Sequence, residues 1–216
     1  MTEKGLLIVF EGIDGSGSST QAALLKDYFL NQGQKAVLSP EPSDGLIGKL
    51  IRESLKKRIL FTDNSQKFNE QMAYLFAADR HDHLYNKFDG VFKLINDCFH
   101  VITTRYYFSS LAYNGETPEE FEFIKQLNKK FPNPDLVIYL DIPIEVSLKR
   151  LQERSLKDVY ENKEKLIKVK ANYERIFNQY SGLFLQLDAT NNPQVINQQI
   201  VDFISNNITF FHTTNS

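Results

Sequence analysis

The sequence predicts an α/β fold, a mostly parallel five-stranded sheet flanked by helices, and three observations carry that prediction. Five short apolar runs alternate with stretches of helical periodicity. The first run leads directly into a glycine-rich turn, and no Pro/Gly/Ser-rich stretch or internal repeat divides the 216 residues. One domain over residues 1–216 is therefore expected.

Leu6 to Phe10 is a continuous apolar run, the pattern of a strand buried on both faces. The glycine turn that follows should hand over to a helix whose apolar stripe includes Leu25, Tyr28 and Phe29, with Gly33 as a left-handed stop. Lys35 to Leu38 reads as a second strand, and Pro40 to Gly45 as a loop. A helix is expected from Ser65 to about His83, carrying Phe68, Met72, Leu75, Phe76 and Arg80 at helical spacing. Val101 to Thr104, Leu136 to Leu140 and Leu183 to Leu187 supply three further strands. Helices are expected over Glu145 to Arg154, around Leu166 to Ile176, and from Pro193 to about Asn206, where proline suits the first turn.

Composition narrows the function classes. With 25 Lys and Arg against 27 Asp and Glu, the formal charge of -2 gives no basic footprint for a nucleic acid polymer. Small anions need only local positive charge, so they remain candidates. No run approaches the ~20 apolar residues of a membrane span, and no secretory leader is visible after Met1. Cys98 is the one cysteine, which excludes an intrachain disulfide and a multi-cysteine zinc site and favours the cytosol. Cys98 itself reads as a core or rim residue, and His81-Asp82-His83 as a solvated helix end, because i and i+2 point apart on a helix.

The chemistry starts at Gly12-Ile13-Asp14-Gly15-Ser16-Gly17-Ser18-Ser19-Thr20. Strand, glycine loop and helix follow one another as a phosphate-binding loop requires, but Ser18 stands where G-x-x-x-x-G-K-[ST] places lysine. Amides of residues 15 to 20 can converge on phosphate oxygens, aided by the positive end of the following helix. Gly12, Gly15, Ser16, Gly17, Ser18, Ser19 and Thr20 are accordingly the expected ATP-binding residues, with the Ser19 hydroxyl as the Mg²⁺ ligand. A serine hydroxyl does not replace the lysine charge, so transfer would lean on arginines from elsewhere.

Phe10 to Gly17, Glu41-Pro42, Leu75-Phe76-Ala77-Ala78-Asp79-Arg80, Arg105-Tyr106-Tyr107-Phe108-Ser109, Asp158 to Asn162 and Leu187-Asp188-Ala189 occur in this order. Together they resemble the thymidylate kinases, a family of P-loop nucleoside monophosphate kinases, from about residue 5 to 206. The resemblance implies a three-layer P-loop NTPase fold and transfer of the ATP γ-phosphoryl group to dTMP, giving dTDP and ADP with Mg²⁺. It also implies small-molecule nucleotide partners, no membrane or nucleic acid, a cytoplasmic setting and a homodimer.

By the same resemblance Asp14 contacts the acceptor sugar, and Phe76 and Arg80, four apart on one helix face, hold the thymine ring. Arg105 reaches the acceptor phosphate and the transferred group, where its planar fork suits two oxygens at once. Glu41, Arg52, Ser109, Tyr113 and Tyr160 complete the expected substrate site. Arg150 and Arg154 are expected catalytic cations beside Arg105, from a lid near residues 150–161, Arg154 acting like an arginine finger. Each has a plainer reading: a turn aspartate for Asp14, a buried Phe with an exposed, salt-bridged Arg for Phe76 and Arg80, a solvated helix face for Arg52, core or rim aromatics for Tyr113 and Tyr160, and a charged helix end for the lid cations.

Three positions depart from the family. Ser18 replaces its lysine, Thr104 the aspartate before the arginine, and Val159 an arginine before Tyr160. The first two fall on the side of the donor phosphates and metal. Two alternatives therefore stand beside the kinase reading: a nucleotide-binding paralogue without efficient transfer, and a kinase for another nucleoside monophosphate.

Overall fold

A computed structural model describes residues 4–59, 62, 64–115, 117–153 and 163–208. Five strands, β1 (Leu7–Glu11), β2 (Lys35–Leu38), β3 (Phe99–Thr104), β4 (Leu136–Asp141) and β5 (Phe184–Asp188), form one wholly parallel sheet in the order β2-β3-β1-β4-β5. Every residue of β1 is buried, as its uninterrupted apolar run requires of the central strand. The strands lie within two residues of their expected bounds; β3 starts earlier, at Phe99, because Lys35 of the edge strand pairs opposite it.

The helices are α1 (Ser18–Asn31), α2 (Leu46–Leu55), α3 (Ser65–Tyr85), α4 (Val91–Asn96), α5 (Tyr107–Asn114), α6 (Pro118–Asn128), α7 (Ile144–Glu153), α8 (Lys163–Phe177) and α9 (Pro193–Asn207). The main core joins β1, β3 and β4 to α1, α5, α8 and α9 through residues such as Phe10, Leu25, Phe29, Phe108, Tyr173 and Ile200. Gly33 has φ +74°, the left-handed stop expected just beyond α1. Asn64 caps α3 by accepting from the Lys67 amide, and Asn192 caps α9 from the Gln194 amide ahead of Pro193.

Register places the site. Phe10 of β1 lies opposite Thr104 of β3 and Ile138 of β4. The turn after β1 and the residue after β3 therefore leave the sheet side by side, at the carboxyl ends where ligands of such sheets bind. The Arg105 amide donates to the Phe10 carbonyl at 2.9 Å and ties the two exits together.

Two smaller expectations change. Cys98 is exposed at a left-handed turn (φ 66°) between α4 and β3 and takes no part in the core. His83 is buried while His81 is exposed, because the end of α3 packs one face on the loop after β2.

Helix α6 opens on a full capping box: the Glu120 amide donates to Thr117 Oγ1 and the Thr117 amide to Glu120 Oε2. Thr117→Ala is expected to lower the unfolding free energy by about 1 kcal/mol, read from urea unfolding monitored by circular dichroism.

Candidate active site

The glycine loop is shaped by what its backbone must avoid. Gly12 sits at φ +152°, and a Cβ there would meet the Leu140 carbonyl at 2.8 Å and Ser16 Oγ at 2.7 Å. Gly15 and Gly17 have φ +79° and +96°, the left-handed region that glycine enters freely. Gly17 is the N-cap of α1, supplies no side chain to cap it, and no acidic residue occupies the first turn. The opening amides of α1 are left for an anion. Ser18 is half-buried, and Ser19 and Thr20 are exposed in that first turn.

Helix α7 holds the loop from outside. Ser147 Oγ donates to the Asp14 carbonyl at 2.6 Å, and Arg150 donates to the Gly15 carbonyl at 3.2 Å and the Ala189 carbonyl at 3.0 Å. Arg150 also lines a cavity of about 240 Å³ with Ser16, Gly17, Thr20, Gln21 and Asn191. The expected cation thus grips two backbone carbonyls at the edge of the loop. Ser16 Oγ is buried with no hydrogen-bond partner among the described residues.

On the other side of the loop lies a cavity of about 280 Å³. Asp14, Glu41, Arg52, Phe76, Arg80, Arg105, Ser109 and Tyr113 all line it, so the structure gathers residues spread over 100 positions into one wall. Arg154 and Tyr160, with most of the expected lid, lie outside the described residues.

Arg105 occupies the junction of loop and cavity. Its backbone is left-handed (φ 71°), which costs a non-glycine residue roughly 1 kcal/mol or more. That backbone aims the guanidinium at Asp14, with which Nη2 pairs, while Nη1 donates to Ser109 Oγ at 3.3 Å and Nη2 to Tyr113 Oη at 3.2 Å. Tyr113 Oη donates to the second Asp14 oxygen at 3.0 Å and accepts from the Asp14 amide at 3.1 Å. Asp14 therefore does more than close its own turn.

Arg80 reverses the plain reading of its pair with Phe76: the arginine is buried and the phenylalanine half-exposed. Burial is tolerated because nearly every N–H finds an acceptor. Nε donates to Glu41 Oε2 at 2.9 Å, Nη2 lies 2.7 Å from the same oxygen and 3.2 Å from Ser110 Oγ, and Nη1 donates to Asn128 Oδ1. Arg52 is not a solvated residue either: it donates to the Pro42 and Ser43 carbonyls, both at 2.8 Å.

Glu11 and Asn114 belong to this site without having been assigned to it from the sequence. Asn114, four residues beyond Ser110 on α5, lines the cavity with a buried Oδ1 that no described residue satisfies. Glu11, the last residue of β1, is fully buried. Its Oε1 accepts from the Tyr106 and Ser109 amides at 2.8 and 3.3 Å, and its Oε2 from Ser109 Oγ at 2.6 Å and Tyr173 Oη at 2.8 Å. Burial raises its pKa from 4.5 to about 7, against the lowering by Ser109, Tyr173 and Arg105.

A strand–loop–helix anion cradle, set at the carboxyl ends of a parallel sheet beside a polar and aromatic cavity, defines a P-loop nucleotide-binding fold. The thymidylate kinase family model matches residues 10–200. A Treponema pallidum protein named as a thymidylate kinase is 38% identical over 205 residues, covering 90% of this chain and 92% of that protein. A Methanococcus aeolicus protein of the same name is 39% identical over 199 residues, 90% of this chain and 93% of its own length. In fold, a thymidylate kinase from Candida albicans superposes with a TM-score of 0.76 at 24% identity, over 94% of this chain and 92% of that one. The chain belongs to the thymidylate kinase family.

Because the folded carboxyl of Glu11 keeps its proton to higher pH than the unfolded chain does, the native state binds more protons between pH 4.5 and about 7. Its contribution to stability is complete below pH 4.5 and declines as pH rises through that window. At about 1.4 kcal/mol per pKa unit, the stability of the natural protein relative to Glu11→Gln should fall by about 3 kcal/mol across it, measured by denaturant unfolding at successive pH values.

Proposed function

We propose that the chain transfers the γ-phosphoryl group of ATP to the 5′-phosphate of dTMP, giving dTDP and ADP. The Asp14–Arg105 pair carries this reading, because it stands where the anion cradle and the cavity share a wall. A phosphate in the cradle and a second one in the cavity would meet at Arg105. The acceptor phosphate oxygen forms the new bond to the γ-phosphorus as the bond to the β–γ bridging oxygen breaks. The electron pair leaves on ADP. The acceptor is already ionised at neutral pH, so positioning and charge stabilisation supply the catalysis.

Arg105 is the catalytic cation of the described residues, and we assign Arg154 of the lid the same duty on the donor side. Arg150 is assigned to holding the loop and the donor nucleotide at its edge, in keeping with its two carbonyl contacts. The cavity takes the nucleoside: Asp14 and Tyr113 at the sugar, Phe76 against the base, Arg80 and Asn114 at its polar edge, Glu41 behind Arg80, and Arg52 with Ser109 toward the phosphate. Tyr160 is placed with them from the resemblance alone.

Mg²⁺ would come with ATP. The described residues contain no group of three or more acidic, His or Cys side chains suited to a metal, and Thr104 offers a hydroxyl where the family has a carboxylate. The exposed Ser19 hydroxyl in the first turn of α1 fits an ion held mainly by phosphate oxygens. When bound, such an ion supplies charge neutralisation between the β- and γ-phosphates. No helix among the described residues is long and apolar enough to cross a membrane; a cytoplasmic homodimer acting as one kinase domain with a lid near residues 150–161 completes the proposal.

A coupled ADP-release assay over a panel of deoxy- and ribonucleoside monophosphates tests the reading. Turnover is expected with dTMP and not with purine or cytosine nucleotides. Tight nucleotide binding with no ADP above background would select the binding-protein alternative, and preference for another monophosphate the third. Ser18→Lys is expected to raise kcat by about tenfold or more, the scale of one well-placed donor of charge in a transition state, since the described arginines at the site are already engaged with Asp14 and with loop carbonyls. An unchanged or lower kcat would show that other groups fill the role.

A further inference from the structure

Helix α3 presents Phe76, Asp79, Arg80 and His83 at i, i+3, i+4 and i+7, one face of the helix. That face does two things. Phe76 and Arg80 line the cavity, while Asp79, Arg80 and His83 grip the loop between β2 and α2. Asp79 takes the Ser43 amide on Oδ2 at 2.7 Å and the Ser43 hydroxyl on Oδ1 at 2.6 Å. Arg80 takes Glu41 Oε2. His83 lies 3.3 Å through Nδ1 from the other Glu41 oxygen and 2.6 Å through Nε2 from Ser39 Oγ.

The hydrogen-bond directions are fixed by the partners. A carboxylate only accepts, so Nδ1 carries a proton toward Glu41. In the neutral ring Nε2 then accepts from the Ser39 hydroxyl. His83 is buried beside a carboxylate that is itself buried, so the bond is shielded from water. Glu41 is thereby held at both oxygens, one by the group that lines the cavity and one by a group that does not. Without His83, Oε1 loses its donor and the carboxylate is free to rotate about its last torsion. Arg80 meets Oε2 through both Nε and Nη2, so that rotation disturbs two of its contacts while Asn128 and Ser110 keep the others.

We propose that His83 is a positioning residue for nucleoside recognition: by fixing Glu41 through Nδ1 it fixes the edge that Arg80 offers to the base end of the cavity. The inference rests on the reading of that cavity as the monophosphate site. It assigns His83 no contact with substrate and no part in the transfer step, so the KM for dTMP should move while kcat and the KM for ATP stay in place.

Two substitutions separate the two ring nitrogens. An asparagine amide reaches approximately where Nδ1 lies, and a glutamine amide approximately where Nε2 lies. His83→Leu is expected to raise the KM for dTMP about tenfold, the scale of one lost hydrogen bond to a charged group, with kcat and the KM for ATP within twofold. His83→Asn should recover the KM for dTMP to within about threefold of the natural protein, and His83→Gln should not. Recovery by Gln and not Asn, an equal loss in all three parameters, or no change in the KM for dTMP would overturn the proposal. If His83→Leu does not fold, the Asn and Gln variants carry the comparison alone. Phe76→Ala serves as the control for the cavity. If it raises the KM for dTMP and His83→Leu does not, the His83 inference alone fails; if neither does, the cavity reading fails with it.

Discussion

The buried carboxylate of Glu11 is the contact on which the site depends. It is the last residue of the central strand, one position before the glycine loop, and it receives the Tyr106 and Ser109 amides at the start of α5, the Ser109 hydroxyl and the Tyr173 hydroxyl. Those amides belong to a helix end with no side-chain cap of its own. One group therefore fixes the strand that launches the anion cradle, the helix that carries Ser109, Tyr113 and Asn114, and the aromatic stack of Tyr173 on Phe177 from α8. A carboxylate buried without such donors would be costly. Here four donors converge on it, and burial still raises its pKa against them.

From that junction the two halves of the site are kept in register by short links. The loop carbonyls are drawn outward by Ser147 and Arg150, the Asp14 side chain inward by Arg105 and Tyr113. Left-handed backbone at Arg105 is the local strain that this arrangement tolerates, and three side-chain partners keep its guanidinium in place. The missing lysine at position 18 leaves a cradle whose shape is set by glycines and by helix α7 rather than by a cation within it.

Much of this was legible because the signals were local. Strands buried on both faces announce themselves as apolar runs, and the loop by its glycine spacing. Helix α5 has no apolar stripe to betray it, because Phe108 through Asn114 are all buried and no solvent-facing side marks a period. Helix α6 carries a local signal of its own in Thr117-Pro118-Glu119-Glu120, the sequence of its capping box. The burial of Arg80 and His83 was invisible for another reason: their partner Glu41 lies 39 and 42 residues away, and arginine is seldom buried unless paired. The resemblance to thymidylate kinases bridged part of that gap by placing Glu41-Pro42 and Arg80 among its motifs.

The wiring of Arg80 also changes what its presence in a sequence can signify. Glu41 is held by Arg80 and His83, and Asp79 by Ser43, so each would leave a buried charge or polar group stranded if it were replaced. Replacing one of them therefore costs stability as well as recognition. Ser18, Ser19 and Thr20 are in a different position: they lie in the first turn of α1, Ser18 half-buried and the other two exposed. Substitutions in the first turn of α1 therefore act on the donor side of the site, whereas substitutions on the loop-gripping face of α3 disturb packing as well.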